Sequence, residues 1–512
     1  MITMHIQKYV CAITLLVISQ GLTAQQLTPE NIKNSFHQVQ AIIGEDTLRP
    51  AFHLTPPAGC MGDPNGGIYF DGWYHIFYGL YPFAGHPGGW YWAHAKSQDL
   101  LYWDHLEPGL TPAFDLGLNY IGSGSTIAHQ QGLPFVYYSA SSDDQMKFWQ
   151  AQFTTEDLNQ WTHLTKNPIL TLDHPGLPDY DDFWRDPFVF EEAGRTFMIA
   201  CADLLEEDVV SVPIFEATDA ELSSWAYKGT LFDYPKNQYR NFEVPEIRKI
   251  GDQWVFMASV DAPVDRCIYF TGQFEIDKLR FTPEQKGVID YSGHYYAQES
   301  ILDSEGNIVL MAWIPGWDRD WLPTYMNEPL KNDGKYWNGC FAIPRNLTLN
   351  SAGELVQHPV KSIESLRGDL QELPARQLPV EGPMTSHDVL ETIHGDQLEL
   401  QIELALGSAS FCGLNLLCDK NVNGCLFIIW NGNELNVDGV KVPIEGWQPN
   451  DHITMQIFID KQIVEIFVNG GKYCVSRKVR AEHIKGDRIS LTRLGGTARL
   501  ISLQAWPLRS LN

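Results

Sequence analysis

The sequence predicts an all-β protein, a β-propeller followed by a β-sandwich, and three observations carry that prediction. From 51 to 349, short runs rich in Tyr, Phe, Trp, Val and Ile alternate with Gly, Pro, Asn and Asp, and long helical periodicity is nearly absent. An acidic-Leu-x-x-Trp element recurs about every sixty residues, each copy after an aromatic strand, which suits one four-stranded blade plus loops. It stands as Asp99-Leu100-Leu101-Tyr102-Trp103, Asp157-Leu158-Asn159-Gln160-Trp161 and Glu221-Leu222-Ser223-Ser224-Trp225. Beyond 386 a second set of strands shows clean apolar–polar alternation, as two packed antiparallel sheets require.

In chain order, residues 1–24 have the form of a secretory signal. Lys8 supplies the positive start, Tyr9–Ile18 is a short apolar run, and Gly21-Leu22-Thr23-Ala24 offers small residues for cleavage before Gln25. The run is too short to span a bilayer, and no later segment reads as transmembrane. The mature chain is therefore expected in the periplasm or outside the cell. Residues 25–50 are a polar lead-in. Ile68-Tyr69-Phe70 and Trp73–Tyr78 flank Asp71-Gly72, a strong hairpin signal. Residues 350–385 are charged and irregular, with Pro359, Pro374, Pro379 and Pro383, and read as a linker. The sandwich is expected over 386–512, with Asn469-Gly470-Gly471 as a hairpin turn.

A net charge of −27 disfavours nucleic acid and anionic membrane surfaces as partners. Eight cysteines follow the signal, scattered and without a Cys-x-x-Cys pair. One bridge among Cys412, Cys418 and Cys425 is compatible with their spacing, as are buried free thiols. No histidine stands beside them at zinc-ligand spacing.

Three acidic segments share an odd property: each acid sits among apolar residues and beside a proline. They are Asp63-Pro64, Asp186-Pro187 within Asp182–Phe190, and Glu243-Val244-Pro245-Glu246. Singly, each reads as a salt-bridged turn acid. Together, at equivalent positions of successive blades, they would converge on a central funnel. Carboxylates there, in an aromatic-rich chain, suggest glycoside hydrolysis, one attacking the anomeric carbon and another giving and taking a proton. Arg185 would keep Asp186 ionised, which suits binding sugar hydroxyls.

These residues resemble glycoside hydrolase family 32, the invertase, inulinase and levanase group, over nearly the whole mature chain. Cys60-Met61-Gly62-Asp63-Pro64-Asn65-Gly66 stands where the family has Trp-Met-Asn-Asp-Pro-Asn-Gly. Trp92-Ala93-His94-Ala95, Ser123-Gly124-Ser125, Arg185-Asp186-Pro187, Phe242-Glu243-Val244-Pro245-Glu246, Tyr295-Tyr296-Ala297, Ala312-Trp313 and Ile343-Pro344-Arg345 continue the match in order. The resemblance implies a five-bladed β-propeller over 51–349 and a β-sandwich after it. It implies Asp63 as nucleophile, Glu243 as acid/base and Asp186 as transition-state stabiliser. Asn65, Trp92, Ser123, Arg185 and Trp313 would line the sugar pocket. The substrate would be sucrose or a fructan such as inulin or levan, cleaved with retention and with no metal or organic cofactor. The same scaffold also serves fructosyltransferases, and a catalytically impaired carbohydrate-binding homologue is a third reading. Cys60, Gly62, Gly79 and Val244 depart from the family pattern around the pocket, while the three acids stay.

Overall fold

The computed structural model describes residues 30, 34, 37, 40, 41, 45–81, 91–107, 109–118, 120–129, 132–141, 145–181, 183–204, 208–261, 266–315, 337–378 and 386–511. The signal segment 1–24 lies outside these residues. Five antiparallel sheets form the first unit. Blade I comprises Gly59–Phe70, Trp73–Tyr81, Tyr91–Ser97 and Asp104–His105. Blade II comprises Tyr120–His129, Gly132–Ser141, Lys147–Phe153 and Trp161–His163. Blade III comprises Arg185–Glu192, Arg195–Asp203, Val209–Ala217 and Trp225–Pro235. Blade IV comprises Glu243–Ile250, Gln253–Val260, Arg266–Glu275 and Arg280–Val288. Blade V is built on Tyr296–Leu302, Ile308–Ile314, Arg345–Leu349 and Leu355–Pro359. The first strand of each blade touches the first strand of the next, and that of blade V touches that of blade I, so the sheets close a ring. Trp337–Asn338 completes the closure: it runs parallel to Gly59–Cys60 of blade I, and Cys340–Phe341 then pairs with Trp313–Ile314 of blade V. Gly339 makes the crossing possible. Its φ is +76°, and a Cβ there would meet the Met61 carbonyl at 2.8 Å.

Local chemistry explains the strands. Asp71 and Gly72 take φ of 47° and 82°, the two-residue turn whose twist matches a hairpin. In the recurring acidic-Leu element, Leu100, Leu158 and Leu222 all have positive φ and are buried. Each leucine plugs the turn that leads into the outer strand of its blade. Blade IV has a further copy that the sequence pattern does not flag, Leu279, buried at φ 51° before Arg280–Val288.

The second unit is two facing sheets. One contains Gln397–Ala405, His452–Asp460, Ile463–Val468, Tyr473–Lys478 and Arg499–Pro507; the other contains Ser386–His394, Phe411–Cys418, Leu426–Trp430 and Arg488–Leu494. Alternate residues such as Leu400, Ile402, Leu414, Ile428, Ile457 and Leu491 fill the space between them. Over its described part, 350–378, the stretch read as a linker is paired at both ends; residues 379–385 lie outside the described residues. Leu355–Pro359 is the outer strand of blade V, and Gln371–Leu373 and Arg376–Gln377 pair with Arg499–Pro507 of the sandwich. Pro359 misleads because it closes a strand at a sheet edge, where no amide donor is needed. None of the eight cysteines among the described residues is in a disulfide.

A buried charged network joins the two units. The Asp460 carboxylate accepts from the backbone N–H groups of Ala51, Phe52 and His53 and lies 2.7 Å from His53 Nδ1. His53 Nε2 lies 3.0 Å from Glu465, which also pairs with Arg345 at 2.7 Å. Arg345 reaches Asp290 and Ser476 as well. Every ion here has a partner, as burial of charge demands.

Candidate active site

The inner strand of each blade is irregular near its start. Pairing registers shift between Asn65 and Ile68, Ile121 and Gly124, Glu243 and Glu246, and Tyr296 and Glu299, and blade III shifts opposite Ile199–Cys201. Gly66, Asp186, Val244 and Ala297 all take positive φ there, between 44° and 59°. Such bulges re-aim side chains that a regular pleat would send into the inter-blade core. The sequence places a functional group beside each bulge: Asp63 and Asn65, Ser123, Arg185 and Asp186, Glu243, and Tyr296.

These groups bond from blade to blade. Ser123 of blade II donates its hydroxyl to Asp63 Oδ2 of blade I at 2.9 Å. The Asp186 N–H donates to Ser139 Oγ of blade II at 2.8 Å. The Val244 N–H of blade IV donates to Asp186 Oδ2 at 3.0 Å. Arg185 Nη2 pairs with Glu243 Oε1, and Tyr296 of blade V donates to Glu243 Oε2 at 2.6 Å. The Arg185 guanidinium also lies 3.7 Å from the centre of the Phe183 ring, a cation–π contact. So the expected convergence of Asp63, Asp186 and Glu243 is found, around one guanidinium.

The electrostatics follow from that crowding. Burial pushes Asp63 up to about 7; the Ser123 hydroxyl opposes it, and the charges of Asp186 and Glu243 add to it. Burial also raises Asp186, to about 6, against the pull of Arg185 and the Val244 amide. Arg185 is held charged: burial works against it, but Glu243 and Asp186 outweigh that and raise its pKa. The arrangement has the parts of a two-carboxyl group-transfer site: a carboxylate on a fixed strand, a second carboxyl gripped at both oxygens, and a third bridging two blades.

The remaining expected pocket residues divide. Arg185 and Ser123 contact the acids directly, and the half-buried Trp313 packs with Val244, Tyr296 and Ala297 beside Glu243. Trp92 and Asn65 do not line a pocket, and the structure corrects both. Trp92 is only 1% exposed, packs against Phe77 and Tyr138, and donates Nε1–H to the Gly122 carbonyl. Asn65 is 2% exposed; its amide donates to the Asp63 carbonyl at 2.9 Å and accepts from the Gly124 N–H at 3.3 Å. Both are buttresses behind the Asp63 bulge. A wide apolar ring and a short amide beside an acid read alike whether they face a ligand or the core. Conversely, Tyr296 and Phe183 carry no role in the sequence reading. The signal for Tyr296 is its place as the first residue of an inner strand, matching Arg185 and Glu243, with a positive-φ residue next in each case.

The model described as "Glycosyl hydrolases family 32 N-terminal domain" matches residues 53–359, and the one described as "Glycosyl hydrolases family 32 C terminal" matches residues 362–507. A sucrose-6-phosphate hydrolase of Escherichia coli is 26% identical over 487 residues, covering 90% of this chain and 95% of its own. A levanase of Bacillus subtilis (strain 168) is 26% identical over 511 residues, covering 91% of this chain and 71% of its own. The crystal structure of fructan 1-exohydrolase IIa from Cichorium intybus superposes with a TM-score of 0.78 at 21% identity, over 91% of this chain and 98% of that one.

Proposed function

The chain belongs to glycoside hydrolase family 32 and is a glycoside hydrolase; from that premise we propose that it cleaves β-D-fructofuranosyl bonds of sucrose or fructans with retention of configuration. The observation that carries this reading is the meeting of Asp63, Asp186 and Glu243 around Arg185 at the bulged starts of the inner strands. The substrate class is supported by the relatives, one named for sucrose 6-phosphate and one for levan.

In this mechanism the Asp63 carboxylate attacks the anomeric carbon of the fructosyl unit. The bond from that carbon to the leaving oxygen breaks, and Glu243 transfers its proton to that oxygen. The fructosyl group is then esterified to Asp63, and the aglycone leaves as an alcohol. Water enters, gives a proton to Glu243 and attacks the same carbon, which frees Asp63. The productive form has Asp63 ionised, which the Ser123 hydroxyl and Arg185 favour. Asp186 spends one oxygen on the Val244 amide, and the other accepts from sugar hydroxyls as positive charge grows on the ring. Arg185 and Tyr296 hold the Glu243 carboxyl at its two oxygens and so fix where the proton is delivered.

Reducing-sugar release from sucrose, inulin and levan tests the reading. Release from at least one is expected, with near-total loss in Asp63→Ala and Glu243→Ala. No release from any of the three would overturn it. Export is also proposed, on Lys8, the Tyr9–Ile18 run and Ala24; a secreted chain beginning at Gln25 is the expected mass.

A further inference from the structure

Val244 follows Glu243 directly, and its φ of 44° is an outlier for a β-branched residue. Such a conformation persists only where the surroundings over-determine it. Both of its backbone polar groups are held by side chains of other blades. The N–H donates to Asp186 Oδ2 of blade III at 3.0 Å. The carbonyl accepts from Gln298 Nε2 of blade V at 3.0 Å. Gln298 is fully buried, and its own carbonyl accepts from Ser259 Oγ at 2.8 Å. Ser259 Oγ in turn accepts from the Ala297 N–H at 2.9 Å. The amide is thus fixed one way round, because a flip would set its oxygen against the Val244 carbonyl.

The blades show what is special here. At the equivalent bulges, the Asp186 N–H is held by Ser139 and the Ala297 N–H by Ser259, each a serine on the second strand of the preceding blade. The residue in that place for Val244 is Cys201, opposite Arg185, and Asp186 takes over the task. The Val244 carbonyl is in addition bound by a side chain of the next blade. Gln298 lies two residues after Tyr296 on one strand, so that strand holds the Glu243-Val244 pair at two points: Tyr296 at the Glu243 carboxyl and Gln298 at the Val244 carbonyl.

We propose that Gln298 is a positioning residue for proton transfer by Glu243. By pinning the Val244 carbonyl it fixes the Glu243 main chain relative to Arg185 and Tyr296, and so sets the carboxyl against the leaving oxygen. The inference rests on the reading of Glu243 as acid/base, and its test separates the two.

In Gln298→Leu, kcat on whichever of sucrose, inulin or levan the wild type cleaves is expected to fall about a hundredfold, with KM within about threefold. First-turnover fluoride release from β-D-fructofuranosyl fluoride, whose leaving group needs no proton, is expected to stay within about threefold of wild type. Equal losses on both substrates, or no loss on either, would overturn the proposal. Gln298→Glu covers the case in which Gln298→Leu does not fold. Its neutral carboxyl can still donate to the Val244 carbonyl, so its activity should be confined to lower pH than that of the wild type; an unshifted profile would overturn the proposal. If the wild type cleaves no fructoside, the fructosidase reading fails on its own. The crystal structure of Gln298→Leu then decides: a Glu243 carboxyl displaced from Arg185 and Tyr296 supports the positioning role, and an unmoved one overturns it.

Discussion

Ser123 Oγ donates to Asp63 Oδ2 at 2.9 Å across the joint between blades I and II, and it is the strongest influence opposing burial of that carboxyl. Asp63 is raised from an ordinary value of 3.8 to about 7. Since attack needs the carboxylate, kcat/KM should rise with pH through an acid limb near 7 in the free enzyme. Ser123→Ala removes a bond that favours the anion, so the limb should move to higher pH. A pH–rate profile of the two proteins checks this; an unmoved limb would separate Asp63 from that titration.

Tyr296 donates to Glu243 Oε2 at 2.6 Å, opposite Arg185. Tyr296→Phe keeps the ring and removes that bond. A hydrogen bond to a charged group contributes about 1.5–3 kcal/mol, so kcat should fall roughly tenfold to a hundredfold, with little change in KM. Steady-state kinetics at the wild-type optimum give the answer.

Trp92 behaves as core, not as a sugar platform. Trp92→Ala should cost about 3–5 kcal/mol of stability, read from denaturant unfolding. Trp92→Phe retains most of the packing against Phe77 and Tyr138, and its KM should stay close to wild type. A large rise in KM in a stable Trp92→Phe protein would return Trp92 to the pocket.

The joint between propeller and sandwich should titrate. Burial works against the charge on His53, but Asp460 and Glu465 outweigh it and raise the imidazole from 6.5 to about 9. A raised folded value contributes stability that is complete below 6.5 and is lost as pH rises through about 9. Glu465 is the converse. Burial raises it, Arg345 and His53 overcome that, and it falls from 4.5 to about 2, so its contribution is present above 4.5 and is lost as pH falls toward 2. His53→Gln should therefore lower Tm most between pH 4.5 and 6.5, by an amount that shrinks as pH rises through 9. A destabilisation independent of pH would show that His53 packs there uncharged.

Much of this was legible in the chain. The Asp71-Gly72 hairpin, the aromatic strands and the acidic-Leu turns follow from local backbone chemistry, which sequence records directly. The three acids were legible because each leads into a hydrophobic strand, where an unpaired carboxyl would be costly. What a residue faces was less so. Asn65 and Trp92 enter as pocket residues through the family resemblance, yet Asn65, at the bulge before Ile68, bonds Asp63 and Gly124, and Trp92, on the third strand of blade I, packs against Phe77 and Tyr138. Gln298 carries no local signal, since its partners Ser259 and Val244 are distant in the chain and meet it only once the blades are stacked. Within 350–378 the linker reading misled because Pro359 and Pro374, at the ends of strands Leu355–Pro359 and Gln371–Leu373, resemble prolines in a linker.

Where the fructosyl group goes decides whether Asp63 is the nucleophile. β-D-Fructofuranosyl fluoride is mixed with Glu243→Gln, in which release of fluoride needs no proton but the following attack by water lacks its base. The reaction is quenched in acid and digested, and the peptides are weighed. One added anhydrohexose is expected on the peptide that contains Asp63, and none on that peptide when Asp63→Ala is combined with Glu243→Gln. A label on a different carboxyl, or full turnover of the fluoride by Asp63→Ala, would contradict Asp63 as the nucleophile.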